Sequence, residues 1–252
     1  MTDILTHSAT RPSPTDENVS DAPLVLALPK GRILKALAPV LKHTGLSPSA
    51  DCLDESSRKL RFPTAHPGID VVRVRSFDVA TFVAYGGAQI GVCGADVLME
   101  FDYPDIYAPL DLGIGGCRVS VARPHGISDA EEDDMTARAS RIRVATKYPN
   151  IARRHFASRG INADIVHLNG AMELAPNLDL AQVIVDLVDT GSTLKANGLR
   201  ETEVIAQVTS RLIVNRVALK TRPEEIGALI ARFRDAVSAG SRDAVRAEGG
   251  LS

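Results

Sequence analysis

The stretch from Ile184 to Leu199 constrains this chain more than any other part of its sequence. It begins as a mostly apolar segment that predicts a buried strand, breaks at Thr190, Gly191, Ser192 and Thr193, and continues with residues that can start a helix. The glycine lets the backbone adopt unusual dihedral angles and approach a ligand closely. The three hydroxyls and the free N–H groups at the helix start predict a pocket for a phosphate dianion. Residues 190–193 are called the phosphate loop below.

Two carboxylates, Asp186 and Asp189, precede the phosphate loop. They would repel a phosphate, but they suit sugar hydroxyls or a Mg²⁺ ion held by a second phosphate group. Hydroxyls and N–H groups at one end of a loop, with carboxylates at the other, therefore predict a site for a phosphorylated ribose. The alternative interpretation is a strand, a turn and an ordinary helix N-cap that binds no ligand.

Strands and helices alternate along the chain from Leu24 onward. Short apolar runs bounded by Pro or Gly predict buried strands, and between them apolar residues recur at helical spacing, as at Ile33, Leu34, Leu37 and Leu41. This alternation predicts an α/β fold in which helices cover both faces of a parallel sheet.

The alternation falls into two blocks, joined near Cys117 and again near Arg211. Two such blocks predict a two-lobed, periplasmic-binding-protein-like (type II) architecture with a double crossover and a central cleft for ligands. The predicted boundaries are a disordered tail at residues 1–22, lobe I at 23–113 plus 212–240, lobe II with the phosphate loop at 114–211, and a frayed C-terminus at 241–252.

The composition excludes several classes of protein. Lys and Arg number 29 against 31 for Asp and Glu, so no basic field favours nucleic acid as a partner. No apolar run approaches the length of a membrane span, and the polar N-terminal residues do not resemble a secretory signal. The three cysteines are odd in number and lack metal-type spacing, which predicts a protein of the reducing cytoplasm.

Basic residues near the N-terminus are further candidates for phosphate binding. Lys30, Gly31 and Arg32 follow the first predicted strand and begin the first helix, where two cations and an accessible backbone can meet phosphates. Arg58, in the segment SRKL before a short predicted strand, is a fourth candidate. The alternatives are a surface turn with solvated charges for the first group and an exposed edge-strand charge for Arg58.

Three other positions lie at predicted strand ends or helix starts. Arg75 either binds ligand or pairs with Asp78 and caps the next helix. Gly94 and Asp96 form a strand-to-helix turn, in which the acid is either a ligand contact or an N-cap. Glu173 either orients a sugar hydroxyl or is an acid placed favourably in a first helical turn.

Taken in order, these motifs resemble one family, ATP phosphoribosyltransferase, the first enzyme of histidine biosynthesis. The resemblance covers about Leu24 to Arg216, and its most specific part is the signature from Glu173 to Leu194. The matching segments are LALPKGRIL, SRKLRF, VRSFDVATFVAYGGAQIGVCGADVL, DLGIGGCRVSVA, RIRVATKYPNIARRHF, NGAMELAPNLDLAQVIVDLVDTGSTLKANGL and SRLIVNR.

The resemblance implies that ATP and 5-phosphoribosyl 1-pyrophosphate condense to N1-(5-phosphoribosyl)-ATP and pyrophosphate, with Mg²⁺ carried on the substrate. It implies catalytic roles for Arg32 and Arg58, the latter able to reach across a subunit interface. The residues expected to bind phosphoribosyl pyrophosphate are Glu173, Asp186, Asp189, Thr190, Gly191, Ser192 and Thr193. Those expected to bind ATP or pyrophosphate are Lys30, Gly31, Arg75, Gly94 and Asp96.

Length discriminates within the family. Only 36 residues follow Arg216, too few for the regulatory domain of the long form, so the chain resembles the short form. The resemblance then implies a homodimer that assembles with a separate regulatory subunit related to histidyl-tRNA synthetase, through which histidine inhibits.

Three positions depart from the family pattern: Asp179 replaces a glycine, Gln89 replaces a frequent aspartate, and Ala95 replaces a frequent Lys or Ser. The first departure is expected to alter the helix behind the phosphate loop, and the second weakens any role for charge at its position. Two other functions stay open at this point. One is a non-catalytic solute- or effector-binding module of the same two-lobed fold, and the other is a salvage phosphoribosyltransferase that acts on a free base.

Overall fold

The structure is a computed structural model that describes residues 22–126 and 141–248, with side chains described up to residue 240. The disordered tail predicted at 1–22 lies outside these ranges except for Ala22. The polar, acidic segment at 126–140 predicts a solvated loop or a surface helix, and only Gly126 of it is described. The strands are β1 (Leu24–Pro29), β2 (Arg61–Pro63), β3 (Ile69–Val74), β4 (Ile90–Gly94), β5 (Ile106–Asp111), β6 (Cys117–Pro124), β7 (Arg141–Thr146), β8 (Asn162–His167), β9 (Val183–Val188), β10 (Leu199–Val208) and β11 (Ser210–Asn215). The α-helices are α1 (Arg32–His43), α2 (Ser76–Ala84), α3 (Ala95–Phe101), α4 (Pro149–Ala157), α5 (Leu174–Asn177), α6 (Ser192–Ala196), α7 (Arg216–Thr221) and α8 (Pro223–Glu248).

The strands form two sheets. The first has the order β2-β3-β1-β4-β11-β5, and the second has the order β10-β6-β9-β7-β8. The chain crosses from the first sheet to the second between β5 and β6, and it returns between β10 and β11. Because β4 lies beside β11 in register from Ser210 to Val214, the returning strand completes the first sheet.

The cores sit between each sheet and its helices. Strand β1 is apolar along its length because both of its faces are covered, and its leucines share a cluster with Leu34, Leu37 and Leu41 of α1. The spacing of these helical residues puts them on one face, as the sequence predicts. Helix α8 packs on α1 and adds Ile226 to the same cluster.

The sheets are mixed, which corrects the prediction of a purely parallel sheet. Strand β1 pairs in parallel with β3 and β4, but β2 and β11 run antiparallel to their neighbours, as does β6 in the second sheet. The short strand expected after Arg58 is β2. The sequence did not predict β5 and β10, because both are edge strands of their sheets and few of their residues are fully buried.

Element ends also differ from expectation. The sequence predicts that the last strand runs on to residue 219, but it stops at Asn215, whose side chain accepts a hydrogen bond from the N–H of Ala218 and starts α7. The helix predicted from residue 171 onward is only the single turn α5, which includes Pro176. Helix α8 extends to Glu248, and the fraying predicted for residues 241–252 stays a prediction.

Hydrogen bonds join the layer formed by the first sheet and its helices to the layer formed by the second sheet and its helices. The buried carboxylate of Glu100, on α3, accepts hydrogen bonds from the N–H groups of Asn150 at 2.9 Å and Ile151 at 3.0 Å, and so caps α4. The Tyr148 hydroxyl donates to Asp96 Oδ2 at 2.9 Å. These contacts fix α3 of the first layer against α4 of the second. Among the described helices, none combines the length and the apolar character needed to cross a membrane.

Candidate active site

A cavity of about 270 Å³ lies at the carboxyl end of β9. Its lining runs continuously from Asp186 to Leu194 and includes Glu173 and Arg32 from elsewhere in the chain. All the residues predicted to bind a phosphorylated ribose are thus brought together here, with an arginine from the first helix. The arrangement follows from a buried strand that delivers polar residues to the edge of the sheet.

The phosphate loop turns at Gly191, which has a φ of 76° in the left-handed region and precedes the first residue of α6. The Thr190 hydroxyl donates to the Ser192 hydroxyl at 3.0 Å, and the Lys195 N–H donates to the Gly191 carbonyl at 3.0 Å. Thr190 and Ser192 are exposed. Their hydroxyls and the first N–H groups of α6 are therefore accessible to an anion.

Arg32 reaches the phosphate loop from the first sheet. Its Nη1 forms an ion pair with Asp189 Oδ2, and both side chains stay largely exposed to solvent, at 66% and 49%. An exposed pair of this kind contributes only about 0–1 kcal/mol to stability. An anionic ligand can therefore displace Asp189 from Arg32 at little cost.

Arg118, on β6, is hydrogen-bonded to the turn at Asp189. The motifs in the sequence did not indicate this residue. Its Nη1 donates to the Asp189 carbonyl at 2.8 Å, while the rest of its guanidinium donates to both carboxylate oxygens of Glu201 on β10. The bonds from Arg118 lower the pKa of Glu201, which also accepts from Ser120 at 2.6 Å. An arginine within the apolar run CRVSVA is the one signal that could have found it.

Burial raises the pKa of Asp186 to about 6, with smaller raising contributions from the negative charges of Glu173 and Asp96 and an opposing one from Lys147. The N–H of Leu187 donates to its Oδ1 at 2.8 Å. At pH 7.5 this carboxylate is ionised in a partly buried place, which costs stability. Retaining a costly charge in a cavity is typical of a functional group.

Replacing Asp186 by asparagine is expected to raise the free energy of unfolding at pH 7.5 by about 1–3 kcal/mol. The pKa of Asp186 is about 6 in the folded protein and 3.8 in the unfolded chain, so the folded protein binds the carboxyl proton more tightly. The wild type therefore loses stability as the pH rises from 3.8 to about 6, and above pH 6 the loss stays constant. Urea unfolding at pH 3.5 and 7.5 checks this. Asp164→Asn, at a surface ion pair with Arg141, is the control and should change stability by less than about 0.5 kcal/mol at either pH. If Asp186→Asn changed the free energy of unfolding equally at both pH values, the raised pKa of Asp186 would be contradicted.

A second cavity of about 790 Å³ lies beside the first helix. Lys30, Gly31, Arg58 and Arg75 line it, as does Asp78. The turn between β1 and α1 separates the two cavities, because Lys30 and Gly31 face the larger one while Arg32 faces the smaller one. Basic side chains outnumber acidic ones in the larger cavity, so it favours an anionic ligand.

Gly94 and Asp96 line neither of these two cavities. Gly94 is the N-cap of α3, and the Asp96 carboxylate is 5% exposed and bound by the Tyr148 hydroxyl. Burial raises the pKa of Asp96. The structure therefore sets these two apart from the other predicted nucleotide-binding residues, and the charge of Asp96 makes only a small contribution to the raised pKa of Asp186.

The three departures from the family pattern have local explanations. Asp179 takes the left-handed conformation itself, with a φ of 55°, which aspartate tolerates better than most residues. The side chain of Gln89 accepts from the Val25 N–H at 2.9 Å, a bond that needs no charge. The N–H of Ala95 donates to the Thr209 carbonyl at 2.9 Å, and its methyl packs against a hydrophobic core.

Comparison with known proteins points to the same family. The family model described as HisG: ATP phosphoribosyltransferase matches residues 75–235. The ATP phosphoribosyltransferase of Gluconobacter oxydans is 80% identical over 219 residues, covering 87% of this chain and 89% of that protein. The ATP phosphoribosyltransferase of Paramagnetospirillum magneticum is 62% identical over 213 residues, covering 84% and 96%.

Two solved structures are similar to the whole fold. One is the ATP phosphoribosyl transferase (HisG:HisZ) complex from Thermotoga maritima, with a TM-score of 0.72 and 32% identity over 86% of this chain and 99% of that one. The other is the periplasmic aliphatic sulphonate binding protein SsuA from Escherichia coli, with a TM-score of 0.55 and 15% identity over 90% and 71%. The second likeness concerns the fold alone. Together they confirm the predicted two-lobed, periplasmic-binding-protein-like architecture.

Proposed function

The chain belongs to the ATP phosphoribosyltransferase family, and we propose on that premise that its smaller cavity binds phosphoribosyl pyrophosphate and its larger cavity binds ATP. The activity is that of a pentosyltransferase of histidine biosynthesis, which condenses ATP with 5-phosphoribosyl 1-pyrophosphate to N1-(5-phosphoribosyl)-ATP and pyrophosphate. The observation that carries the assignment of the cavities is the shared β1–α1 turn, which puts basic residues on both sides of one boundary.

The chemistry defines what the protein must supply. Adenine N1 attacks the anomeric carbon of the ribose while pyrophosphate leaves, so negative charge grows on the leaving group and positive charge on the sugar. No protein nucleophile is required. The protein has to align two substrates and provide fixed charges and hydrogen-bond donors for the departing pyrophosphate.

The phosphate loop suits the 5′-phosphate of the sugar. Gly191 in the left-handed region turns the backbone so that the N–H groups at the start of α6 and the hydroxyls of Thr190, Ser192 and Thr193 face one cavity. The carboxylates of Asp186 and Glu173 line the other side of that cavity, where they can accept hydrogen bonds from the ribose hydroxyls.

Arg32 and Arg58 are the proposed catalytic cations. Arg32 is paired with Asp189, and the pyrophosphate of the substrate is expected to take the place of that carboxylate. Lys30 and the unpaired N–H groups at the start of α1, whose first turn holds no acid, support the same charge. Arg58 is exposed at the larger cavity, from which it can act on its own site or on that of a neighbouring copy.

Magnesium is proposed to arrive with the substrate. Among the described residues no group of three or more His, Cys, Asp or Glu is placed to hold a metal ion. A single carboxylate of the smaller cavity, such as that of Asp186 or Asp189, is a hard oxygen donor that can supply one ligand to an ion whose other ligands come from phosphates and water. When bound, the ion neutralises part of the charge on pyrophosphate.

The assembly is proposed by analogy with the Thermotoga maritima structure, which is described as a HisG:HisZ complex. We expect this chain to form a homodimer that associates with a regulatory subunit related to histidyl-tRNA synthetase. The chain covers 99% of the Thermotoga maritima chain, which supports the short form.

The three cysteines of this chain are free thiols, which supports the proposal that it acts in a reducing cytoplasm.

The test is an absorbance assay for ribosylated ATP, run with phosphoribosyl pyrophosphate and Mg²⁺. ATP is expected to be turned over, and free adenine is not. Adding the regulatory subunit is expected to change the rate. Adding histidine as well is then expected to inhibit the reaction. Equal turnover of free adenine would favour a salvage enzyme, and tight binding without turnover would favour a solute-binding module.

A further inference from the structure

Arg73 is a buried arginine on β3 that the proposed chemistry does not use. Strand β3 alternates strictly, and Ile69 and Val71 on the same face as Arg73 belong to a hydrophobic core. The third position on that face carries a guanidinium, and the residue is only 8% exposed. A buried charge is costly unless its donors are hydrogen-bonded, so the partners of this guanidinium indicate its role.

Its partners are the carbonyl of Cys52, which ends a short 3₁₀ helix, and carbonyls of the irregular segment that follows. Nη1 donates to the Cys52 carbonyl at 2.6 Å and to the Asp54 carbonyl at 2.7 Å, and Nη2 donates to the Ser57 carbonyl at 2.7 Å. A weaker contact at 3.5 Å reaches the Lys59 carbonyl. The guanidinium also lies over the ring of Phe62, with 5.2 Å between its Cζ atom and the ring centroid.

The other side-chain contacts of the segment lie on its exposed surface: Glu55 pairs with Lys35 at 2.7 Å, and Lys59 pairs with Asp51 at 2.9 Å. At its end, the Leu60 carbonyl accepts from the backbone N–H of Arg73 at 2.8 Å. Residues 53–60 contain no helix or strand, and all of them but Ser57 are exposed. Leu53 and Leu60 are 43% and 65% exposed, so they do not anchor the segment in the core. The planar guanidinium of arginine holds its donors in a fixed fork that reaches carbonyls on two sides, whereas the three donors of a lysine ammonium leave one nitrogen atom.

Arg58 lies in the middle of this segment, and Arg73 lines the same cavity. We propose that Arg73 is a positioning residue that fixes the segment 53–60 and thereby sets the place of Arg58 for catalysis. This inference rests on the role proposed above for Arg58. It explains why a guanidinium interrupts the core-facing positions of β3: the segment has no apolar anchor, and its carbonyls are held by this side chain instead.

The first test is a double-mutant cycle on kcat. Arg73→Lys is expected to lower kcat about 10-fold with little change in the KM for phosphoribosyl pyrophosphate, because the charge is kept and only the geometry is lost. In an Arg58→Ala background the same change should cost less than about 3-fold, since its effect passes through Arg58. Arg61→Lys is the matched control, an exposed arginine on adjacent β2 bonded to Asp70, and it should stay within about 2-fold of wild type.

The second test reads the order of the segment without catalysis. Trypsin can cut after Arg58 and Lys59, and the wild-type protein is expected to resist cutting there. Arg73→Lys should accelerate cleavage at these bonds on the order of 10-fold, as followed by mass spectrometry. Rapid cleavage of the wild type at these two bonds would overturn the proposal, even where the variant fails to fold.

The remaining outcomes separate the two proposals. Additive losses in the double variant, or a wild-type rate in Arg73→Lys, would overturn the positioning role and leave the role of Arg58 intact. Full activity of Arg58→Ala would remove Arg58 from the chemistry, and the positioning role with it. A loss in both single variants with no further loss in the double variant supports both.

Discussion

Arg32→Ala is expected to lower kcat for the phosphoribosylation of ATP on the order of 10²-fold, the effect of removing one preorganised charge contact from a transition state. The reason is position. Arg32 lines the smaller cavity next to the turn that borders the larger one, so in the proposed site its guanidinium lies beside the departing pyrophosphate. Steady-state kinetics with both substrates varied, and pyrophosphate release as the readout, measure the effect.

Stability should hardly change in Arg32→Ala, which separates a catalytic loss from unfolding. The side chain is 66% exposed and its ion pair is with a half-exposed Asp189, so the free energy of unfolding should fall by less than about 1 kcal/mol. Lys42→Ala, an exposed cation in the last turn of the same helix, is the control and should keep wild-type rates. Arg58→Ala is expected to resemble Arg32→Ala. Unchanged rate and unchanged substrate affinity in either arginine variant would remove that residue from the mechanism.

The strand, turn and short helix around the phosphate loop could be predicted from sequence because their determinants are local. A buried strand, a glycine and hydroxyl residues follow one another within about ten positions, and each acts on its immediate neighbours. The partition into two layers was predictable for a related reason, since strand and helix periodicities are also short-range. The structure brings Arg32 to the loop across 157 positions of sequence. Its place after a predicted strand marked it as a candidate for phosphate binding, and only the resemblance to a family implied its catalytic role.

The supports of the site were not predictable in this way. Arg118 reaches Glu201 across 83 positions and Arg73 reaches Cys52 across 21, and nothing near either arginine indicates its partner. Each arginine stands between two apolar neighbours in its strand. Asp179 differs from these two, because the family pattern has a glycine at its position, and here the aspartate itself adopts a φ of 55°.

The polar residues around the two cavities therefore form two groups, those that hold backbone segments in place and those that are exposed to a ligand. Arg118 and Arg73 donate to backbone carbonyls of segments that carry Asp189 and Arg58, whereas Arg32, Lys30 and the loop hydroxyls are exposed to the cavities. Groups of the first kind should affect the rate through geometry, and groups of the second kind should affect it through charge.

Gly191→Ala is expected to weaken binding of phosphoribosyl pyrophosphate on the order of 10²-fold, since several hydrogen bonds to one phosphate are misaligned together. The φ of Gly191 is 76°, and a side chain in that conformation costs about 1–2 kcal/mol. Space is not the difficulty, because a Cβ atom would meet only Val188 Cγ1 at 3.8 Å. The alanine is therefore expected to relieve its strain by turning the N–H groups of the loop away from the cavity. Titration of the protein with phosphoribosyl pyrophosphate, followed by calorimetry, measures the loss.

Gly198→Ala is the matched control for this prediction. Gly198 follows the same short helix, has a φ of 73°, and lines neither cavity, and a Cβ atom added to it would meet no described atom within 4 Å. Both variants should lose a similar amount of stability, about 1–2 kcal/mol, because both place alanine in the left-handed region. Only Gly191→Ala should lose affinity for the sugar phosphate, while the KM for ATP stays within about 3-fold in both. Equal losses of affinity in the two variants would mean that general destabilisation is responsible, and unchanged affinity in Gly191→Ala would show that the phosphate binds elsewhere.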